Sequence, residues 1–328
     1  MRYSVIIPVY NRPDEVDELL KSLTTQHFTD FEVIVVEDGS SVPCKEIVDR
    51  YTDKLDIKYF FKSNSGPGQS RNYGAERSEG EYLIILDSDV ILPEGYFDAV
   101  EKELTASPAD AFGGPDRAHD SFTDIQKAIN YSMTSFFTTG GIRGGKKKMD
   151  KFYPRSFNMG VRRAVYEALG GFSKMRFGED IDFSIRIFKG GYICRLFPDA
   201  WDHKRRTDLK KFFKQVHNSG IARINLYKKY PDSLKLVHLL PAAFTLGVAL
   251  LLLGTPFCLF SFMPIILYAL FVCVDSTIQN KSLSIGVYSI AAAFIQLIGY
   301  GTGFWRAWWQ RCIRGKDEFE AFQKNFYK

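Results

Sequence analysis

The sequence predicts an α/β fold, a Rossmann-like and mostly parallel sheet covered by helices, followed by transmembrane helices. Three observations carry this expectation. Short β-rich apolar runs alternate with helical patterns over residues 1–110. The apolar run 82–86 ends in Asp87-Ser88-Asp89, a carboxylate pair placed where a buried strand opens onto a crevice. Residues 239–274 then pass through 36 positions without a charged side chain.

Residues 4–9 (SVIIPV) read as a first strand. Their apolar core is too short for the h-region of a signal peptide, and Pro8 follows Ile7 at once. Pro13 opens a helical stretch in which Val16, Leu19, Leu20 and Leu23 share one face. A second strand is expected over 31–36, ending at Glu37-Asp38-Gly39-Ser40, then a short helix over about 43–51 and a strand over 57–61. Residues 64–68 form a glycine-rich loop leading into a helix through Arg71 and Asn72, and 82–86 is the fourth strand. This βαβαβαβ order predicts a parallel sheet. Residues 111–160 are looser, punctuated by Gly113-Gly114-Pro115 and the glycines of 140–145, with an amphipathic helix over 123–137. Lys146-Lys147-Lys148 reads as a solvated loop in preference to a binding element. A helix over 180–189 stops at Gly190-Gly191.

A membrane-spanning helix needs about 20 residues to cross a core about 30 Å thick. The run 239–274 is too long for one, and Gly254, Pro256 and Pro264 interrupt it, so two helices in a hairpin are expected; a second uncharged stretch covers 282–305. A charge at the bilayer centre costs roughly 3 kcal/mol, whereas Leu contributes only about −0.5 kcal/mol, so the absence of charge decides for membrane over soluble core. The basic residues Lys204, Arg205, Arg206, Lys210, Lys211, Lys214, Arg223, Lys228, Lys229 and Lys235 precede the first span. They orient this segment, and the domain before it, toward the cytoplasm of a multi-pass inner-membrane protein. Arg306, Arg311 and Arg314 after the last stretch also argue for inside, yet three full spans put them outside. The expected organisation is a catalytic domain over 1–235, membrane or interfacial helices over 236–305, and a basic tail over 306–328.

The net charge of +5 does not favour a nucleic-acid partner. Cys44, Cys194, Cys258, Cys273 and Cys312 show no metal-ligand spacing and suit reduced thiols.

Carboxylates gather at element ends. Asp38 follows the second strand, where an acceptor suits a base N–H or a ribose hydroxyl. A divalent cation removes the repulsion between Asp87 and Asp89, and a diphosphate supplies further oxygen ligands; Asp-Ser-Asp is equally a common turn string. Glu179, Asp180 and Asp182 open a helix, where capping is the alternative reading.

At this point the chain resembles the family 2 glycosyltransferases of GT-A fold. The resemblance rests on Val5-Ile6-Ile7-Pro8-Val9-Tyr10-Asn11, Val35-Val36-Glu37-Asp38-Gly39-Ser40, Gly66 to Asn72, Asp87-Ser88-Asp89, Asn158-Met159-Gly160, Gly170-Gly171-Phe172, and Gly178-Glu179-Asp180-Ile181-Asp182 with Arg186. These strings span about residues 3–205 in the family's order. The resemblance implies inverting transfer from a nucleotide-sugar, foremost a UDP-sugar. It implies a base and ribose pocket lined by Pro8, Tyr10 and Asp38, with Arg71 near the base or diphosphate and Asp87 on the ribose or metal side. It further implies Mn²⁺ or Mg²⁺ on Asp89 and Asp180 as general base. In some members a histidine in the region of His203 completes the metal shell, although a surface or packing role for His203 is equally open. Processive members of the clan that the chain resembles carry a Gln-x-x-Arg-Trp motif on an interfacial helix; no such string lies between Asp180 and Lys328, and the resemblance therefore implies one sugar per encounter. The expected acceptor is a hydroxyl of a lipid-linked or surface-glycan precursor. The alternative is a polyprenyl-phosphate acceptor, whose phosphate needs no deprotonating base. A third reading is a non-catalytic membrane subunit.

Overall fold

The computed structural model describes residues 1–115, 122–140, 152–175, 177–201, 203–204 and 208–317. Lys146-Lys147-Lys148 and Arg205-Arg206 fall outside them. Two compact units form, one from the described residues of Met1–Arg117 and Met149–Arg205, the other from those of Ala118–Lys148 and Arg206–Lys324.

The first unit opens with β1 (Tyr3–Val9), α1 (Pro13–Thr24), β2 (Phe31–Asp38), α2 (Lys45–Val48), β3 (Ile57–Lys62), α3 (Pro67–Ala75) and β4 (Tyr82–Leu86). It continues with β5 (Val90–Ile91), α4 (Tyr96–Ala106) and β6 (Ala111–Gly113). The chain then passes through α5 (Asp124–Thr134) and α6 (Phe136–Thr139) of the second unit. It returns in β7 (Asn158–Arg162), α7 (Arg163–Ala168), α8 (Glu179–Lys189), β8 (Cys194–Leu196) and β9 (His203–Lys204). The main sheet has the order β3-β2-β1-β4-β7-β6-β8, with β5 and β9 paired separately. β1 is parallel to β2 and β4, β2 to β3, and β6 to β8; only β7 runs antiparallel to its neighbours β4 and β6. The expected mostly parallel sheet is therefore present.

Its central strands are apolar on both faces, as a sheet covered on both sides requires. Val5, Ile7, Val33, Val35, Ile84 and Leu86 enter one core, together with Val16, Leu19, Leu20 and Leu23 of α1. Ile6, Ile34, Val36, Leu83 and Ile85 alternate into the opposite core with Phe172, Phe183 and Ile187. Each such side chain contributes about 1.5–3 kcal/mol on burial, which holds the strand ends in place.

Two local expectations change. β2 runs two residues past its apolar run, because its terminal carboxylates find partners: Cys44 N–H donates to Glu37 at 2.8 Å, and two loop amides donate to Asp38. Asp87-Ser88-Asp89 is not a strand extension but the turn between β4 and β5, so strand alternation no longer sets where the pair points.

The second unit contains α5, α6, α9 (Leu209–Lys229), α10 (Leu240–Gly254), α11 (Met263–Asn280) and α12 (Leu283–Trp308). The amphipathic stretch 123–137 is broken between α5 and α6 at Ser135, whose ψ of 139° is extended and whose hydroxyl caps Phe137 N–H. The uncharged run 239–274 divides into two helices as expected. Leu236–Gly254, Phe260–Asn280 and Leu283–Ile313 are long and apolar enough to cross a membrane. The glycine string near residue 300 is a packing device: a Cβ at Gly303 would collide with the His217 carbonyl, one at Gly220 with the Tyr300 carbonyl, and one at Gly301 with Thr245.

Candidate active site

The site is built at the carboxyl ends of β1, β2 and β4, where ligands enter open parallel sheets. Pro8 lies in β1 and Tyr10 just beyond it; both are half-buried. Asn11, at φ +54°, ties this end to the β2 loop: its N–H donates to Ser40 Oγ (2.8 Å) and its Oδ1 accepts from Val42 N–H (2.9 Å). Asp38 closes β2 with its side chain almost wholly buried. Its carboxylate accepts from Ser65 N–H (2.9 Å), Gly66 N–H (2.8 Å) and the Lys62 ammonium. Asp38 thereby folds the glycine-rich loop back against β2. Gly39, at φ +73°, makes the approach possible, since a Cβ there would stand 2.8 Å from Asn64 N.

Arg71 is the hub of the site. Its side chain is 3% exposed; Nη1 donates to Glu179 Oε1 and Nη2 to Asp87 Oδ1, both at 2.9 Å. One guanidinium on α3 thus joins the β4–β5 turn to the first turn of α8. Buried paired charge of this kind holds geometry only while every partner is present. Asp89 sits at the other side of the turn, with Oδ2 3.9 Å from Arg12 Nη1.

α8 is aimed by a second set of contacts. Asn72 grips the loop before it: Oδ1 accepts from Phe172 N–H (2.8 Å) and Tyr166 hydroxyl (2.6 Å), while Nδ2 donates to Phe172 carbonyl (2.9 Å). Arg186 donates to the carbonyls of Leu169 and Gly171 (2.6 Å each) and to Asp182 (3.0 Å). Gly178, at φ +87°, turns the chain into the helix without a side-chain cap. The acidic first turn faces the positive end of the helix dipole. Asp180 Oδ2 accepts from Arg155 Nε at 2.6 Å and Oδ1 from Ile181 N–H at 2.8 Å. Burial works to raise the Asp180 pKa, but the Arg155 guanidinium outweighs it and holds the carboxyl below the usual range. Glu179, one residue earlier, goes the other way. Burial first, and the neighbouring Asp180 charge with it, push its carboxyl up to about 7 against the pull of Arg71. Adjacent carboxyls with separated protonation make this a site able to take up and hold protons.

The donors suit a hard divalent cation. Asp87 and Asp89 offer carboxylate oxygens on one turn, the ligand type of Mg²⁺ and Mn²⁺. Among the described residues no group of three or more His, Cys, Asp or Glu could hold a metal by itself. His203 lies in β9, opposite Ile91 of β5; its side chain is outside the described residues.

Of the residues expected from sequence, Asp38, Arg71, Asp87, Asp89 and Asp180 belong to this one unit. The Arg71 fork, together with the adjacency of Glu179 and Asp180, joins Asp87 to the first turn of α8. Three participants were missed as individuals. Glu179 was noticed only within its cluster. Arg12 sits two positions past Tyr10 and was open to the same strand-end reasoning. Arg155 lies in a stretch without periodicity and carried no signal.

This architecture is the GT-A fold. A mannosyltransferase from Pyrobaculum calidifontis, solved with GDP-Man and Mn²⁺, superposes with a TM-score of 0.58 at 19% identity, covering 90% of this chain and 87% of that one. Residues 4–170 match the model of the glycosyl transferase family 2 proteins, and the chain belongs to that family. Among curated relatives, the poly(ribitol-phosphate) beta-N-acetylglucosaminyltransferase TarS of Staphylococcus aureus is 44% identical over 93 residues, 27% of this chain and 16% of that protein. A GalNAc(5)-diNAcBac-PP-undecaprenol beta-1,3-glucosyltransferase of Campylobacter jejuni is 34% identical over 115 residues, 34% of this chain and 37% of that protein. The matches thus cover well under two thirds of these relatives.

Proposed function

We propose that the protein is an inverting glycosyltransferase, moving one sugar per encounter from a nucleotide-sugar to a hydroxyl of a lipid-linked or surface-glycan acceptor. The observation that carries this is the Arg71 fork, which couples the carboxylate turn after β4 to the helix that bears Asp180. Family membership supports the reaction class, and TarS and the Campylobacter enzyme are named for transfers to a phosphate polymer and an undecaprenol-linked glycan.

In this reading Tyr10, Pro8 and the Asp38 loop receive the base and ribose of a UDP-sugar. Arg71 positions Asp87 and Glu179 with one N–H from each terminal nitrogen, and its remaining N–H groups are the ones it would offer to the base or diphosphate of the donor. Asp87 and Asp89 would hold Mn²⁺ or Mg²⁺, with His203 a further candidate ligand. Such an ion neutralises charge on a departing diphosphate. Asp180 accepts the proton of the attacking hydroxyl, and its ion pair with Arg155 keeps it anionic until the acceptor arrives. A single displacement needs no covalent nucleophile. Asp180 is also the reason to prefer a hydroxyl acceptor over a polyprenyl phosphate, which needs no base.

The test is transfer of radiolabelled sugar from a panel of nucleotide-sugars to extracted lipids, with and without Mn²⁺. Transfer that depends on the metal supports the assignment; no transfer across a broad panel overturns it.

A further inference from the structure

We infer that α12, although apolar enough to span, does not cross the bilayer. It lies along the surface of an anionic phospholipid leaflet, roofed on the water side by α5 and α9 and underlain by α10 and α11 in the hydrocarbon. This concerns the helical unit alone and goes beyond the proposed chemistry.

Polar helices flank α12 along its whole length. At its start, Asp124 of α5 accepts from Ser284 hydroxyl at 2.6 Å, and Ala128, Ile129 and Met133 share a core with Ile285 and Ala292. Further along, α9 runs beside it in the same direction. A Cβ at Gly299 would stand 2.5 Å from Val216, His217 Nδ1 is 3.1 Å from Thr302 Oγ1, and Arg311 donates to Asn225 at 2.6 Å. The stretch of α9 from Val216 to Asn225 thus runs beside the last part of α12 and the turn that follows it, a distance of about 14 Å at 1.5 Å per residue.

Crossing the bilayer would carry these companions with it. α9 bears Lys210, Lys211, Lys214, Arg223, Lys228 and Lys229, and the turn 213–217, with Lys214 and Gln215 in it, lies level with Gly299 to Gly303 of α12. Each is strongly disfavoured in hydrocarbon. α10 and α11 have the opposite character. Their apolar windows are 6% and 11% buried inside the protein, against 39% for α12, and they expose Leu246, Leu250, Leu253, Leu267, Leu270 and Ile278.

The geometry also fixes where the apolar pair enters and leaves. α10 begins against the far end of α12, where Trp305 Nε1 donates to Ala242 carbonyl at 3.0 Å. α11 ends against its start, with Ser276 and Ser289 hydroxyls 2.7 Å apart, and Asp275 there accepts from Tyr131 of α5 at 2.5 Å. With α12 lying in the interface, both junctions fall on one polar layer. Exposed Trp305 and Trp309 suit the headgroup level, and the lysines of α9 suit an acidic leaflet. This arrangement removes the topological conflict in the sequence, since Arg306, Arg311 and Arg314 then share a side with the basic residues before α10.

The experiment is labelling by a membrane-impermeant maleimide in sealed right-side-out and inverted vesicles, using the full chain with Cys258 and Cys312 replaced by Ser. Lys228→Cys and Lys316→Cys report the two ends; Lys210→Cys with Arg314→Cys is a second pair should the first fail to accumulate. Detergent-solubilised protein defines complete labelling. Both members of a pair reacting in the same vesicle type supports the inference. Reaction from opposite sides overturns it, as does a position that reacts from neither side before detergent is added.

Discussion

Asp180→Asn separates chemistry from folding. The carboxylate meets Arg155 at 2.6 Å and Ile181 N–H at 2.8 Å. The Arg155 side chain is 33% exposed, so on losing its partner it rehydrates, and the pair is discounted to about 1 kcal/mol or less. Neutralising Asp180 also relieves the charge that helps raise Glu179, a change in the favourable direction. The melting temperature should therefore move by a few degrees at most. The rate should change far more. A positioned general base contributes about 10²–10⁴-fold, or roughly 3–5 kcal/mol of barrier. Initial rates of sugar transfer at saturating donor, alongside calorimetric donor binding and a thermal melt, give the three quantities together. The expected result is a kcat loss of about 10²-fold or more with donor affinity and melting nearly unchanged. Wild-type turnover by the Asn variant would refute the assignment of the base.

Three further outcomes follow from the same network. Asp89→Ala should weaken UDP binding in the presence of Mn²⁺ while leaving metal-free binding alone; equal calorimetric affinities with Mn²⁺ for variant and wild type would remove Asp89 from the metal site. Arg71→Leu leaves Asp87 and Glu179 uncompensated and should destabilise by about 3–5 kcal/mol in denaturant unfolding, with Arg71→Lys only partly restoring stability because an ammonium lacks the fork. Glu179 holds a proton in the folded state up to about 7 that the unfolded chain releases near 4.5, so its contribution to stability falls as pH rises between those values. Glu179→Gln abolishes that fall: relative to wild type, the variant should gain up to about 3 kcal/mol between pH 5 and pH 8, and parallel melting curves at the two pH values would count against a raised Glu179.

The sheet was legible because its causes are local. Strands apolar on both faces, glycine and proline punctuation, and carboxylates at strand ends are properties of neighbouring residues, and they located β1 to β4, Asp38, Asp87, Asp89 and Asp180. The absence of charge over 239–274 likewise determined the apolar helices, since transfer energies sum along the chain whatever the neighbours. The tertiary structure decided what depends on partners distant in sequence. Arg71 is 108 residues from Glu179, and only folding shows that its fork joins two carboxylates. Arg155 acquires meaning only beside Asp180. The amphipathic stretch 123–137 and the basic residues 209–229 fall within the catalytic domain expected over 1–235, yet α5 and α9 group with α10, α11 and α12. Glycine contacts such as Gly220 against Tyr300 and Gly303 against His217 bring that about, because they let backbones approach where side chains would forbid it, and no periodicity in a single segment encodes the helix it will meet.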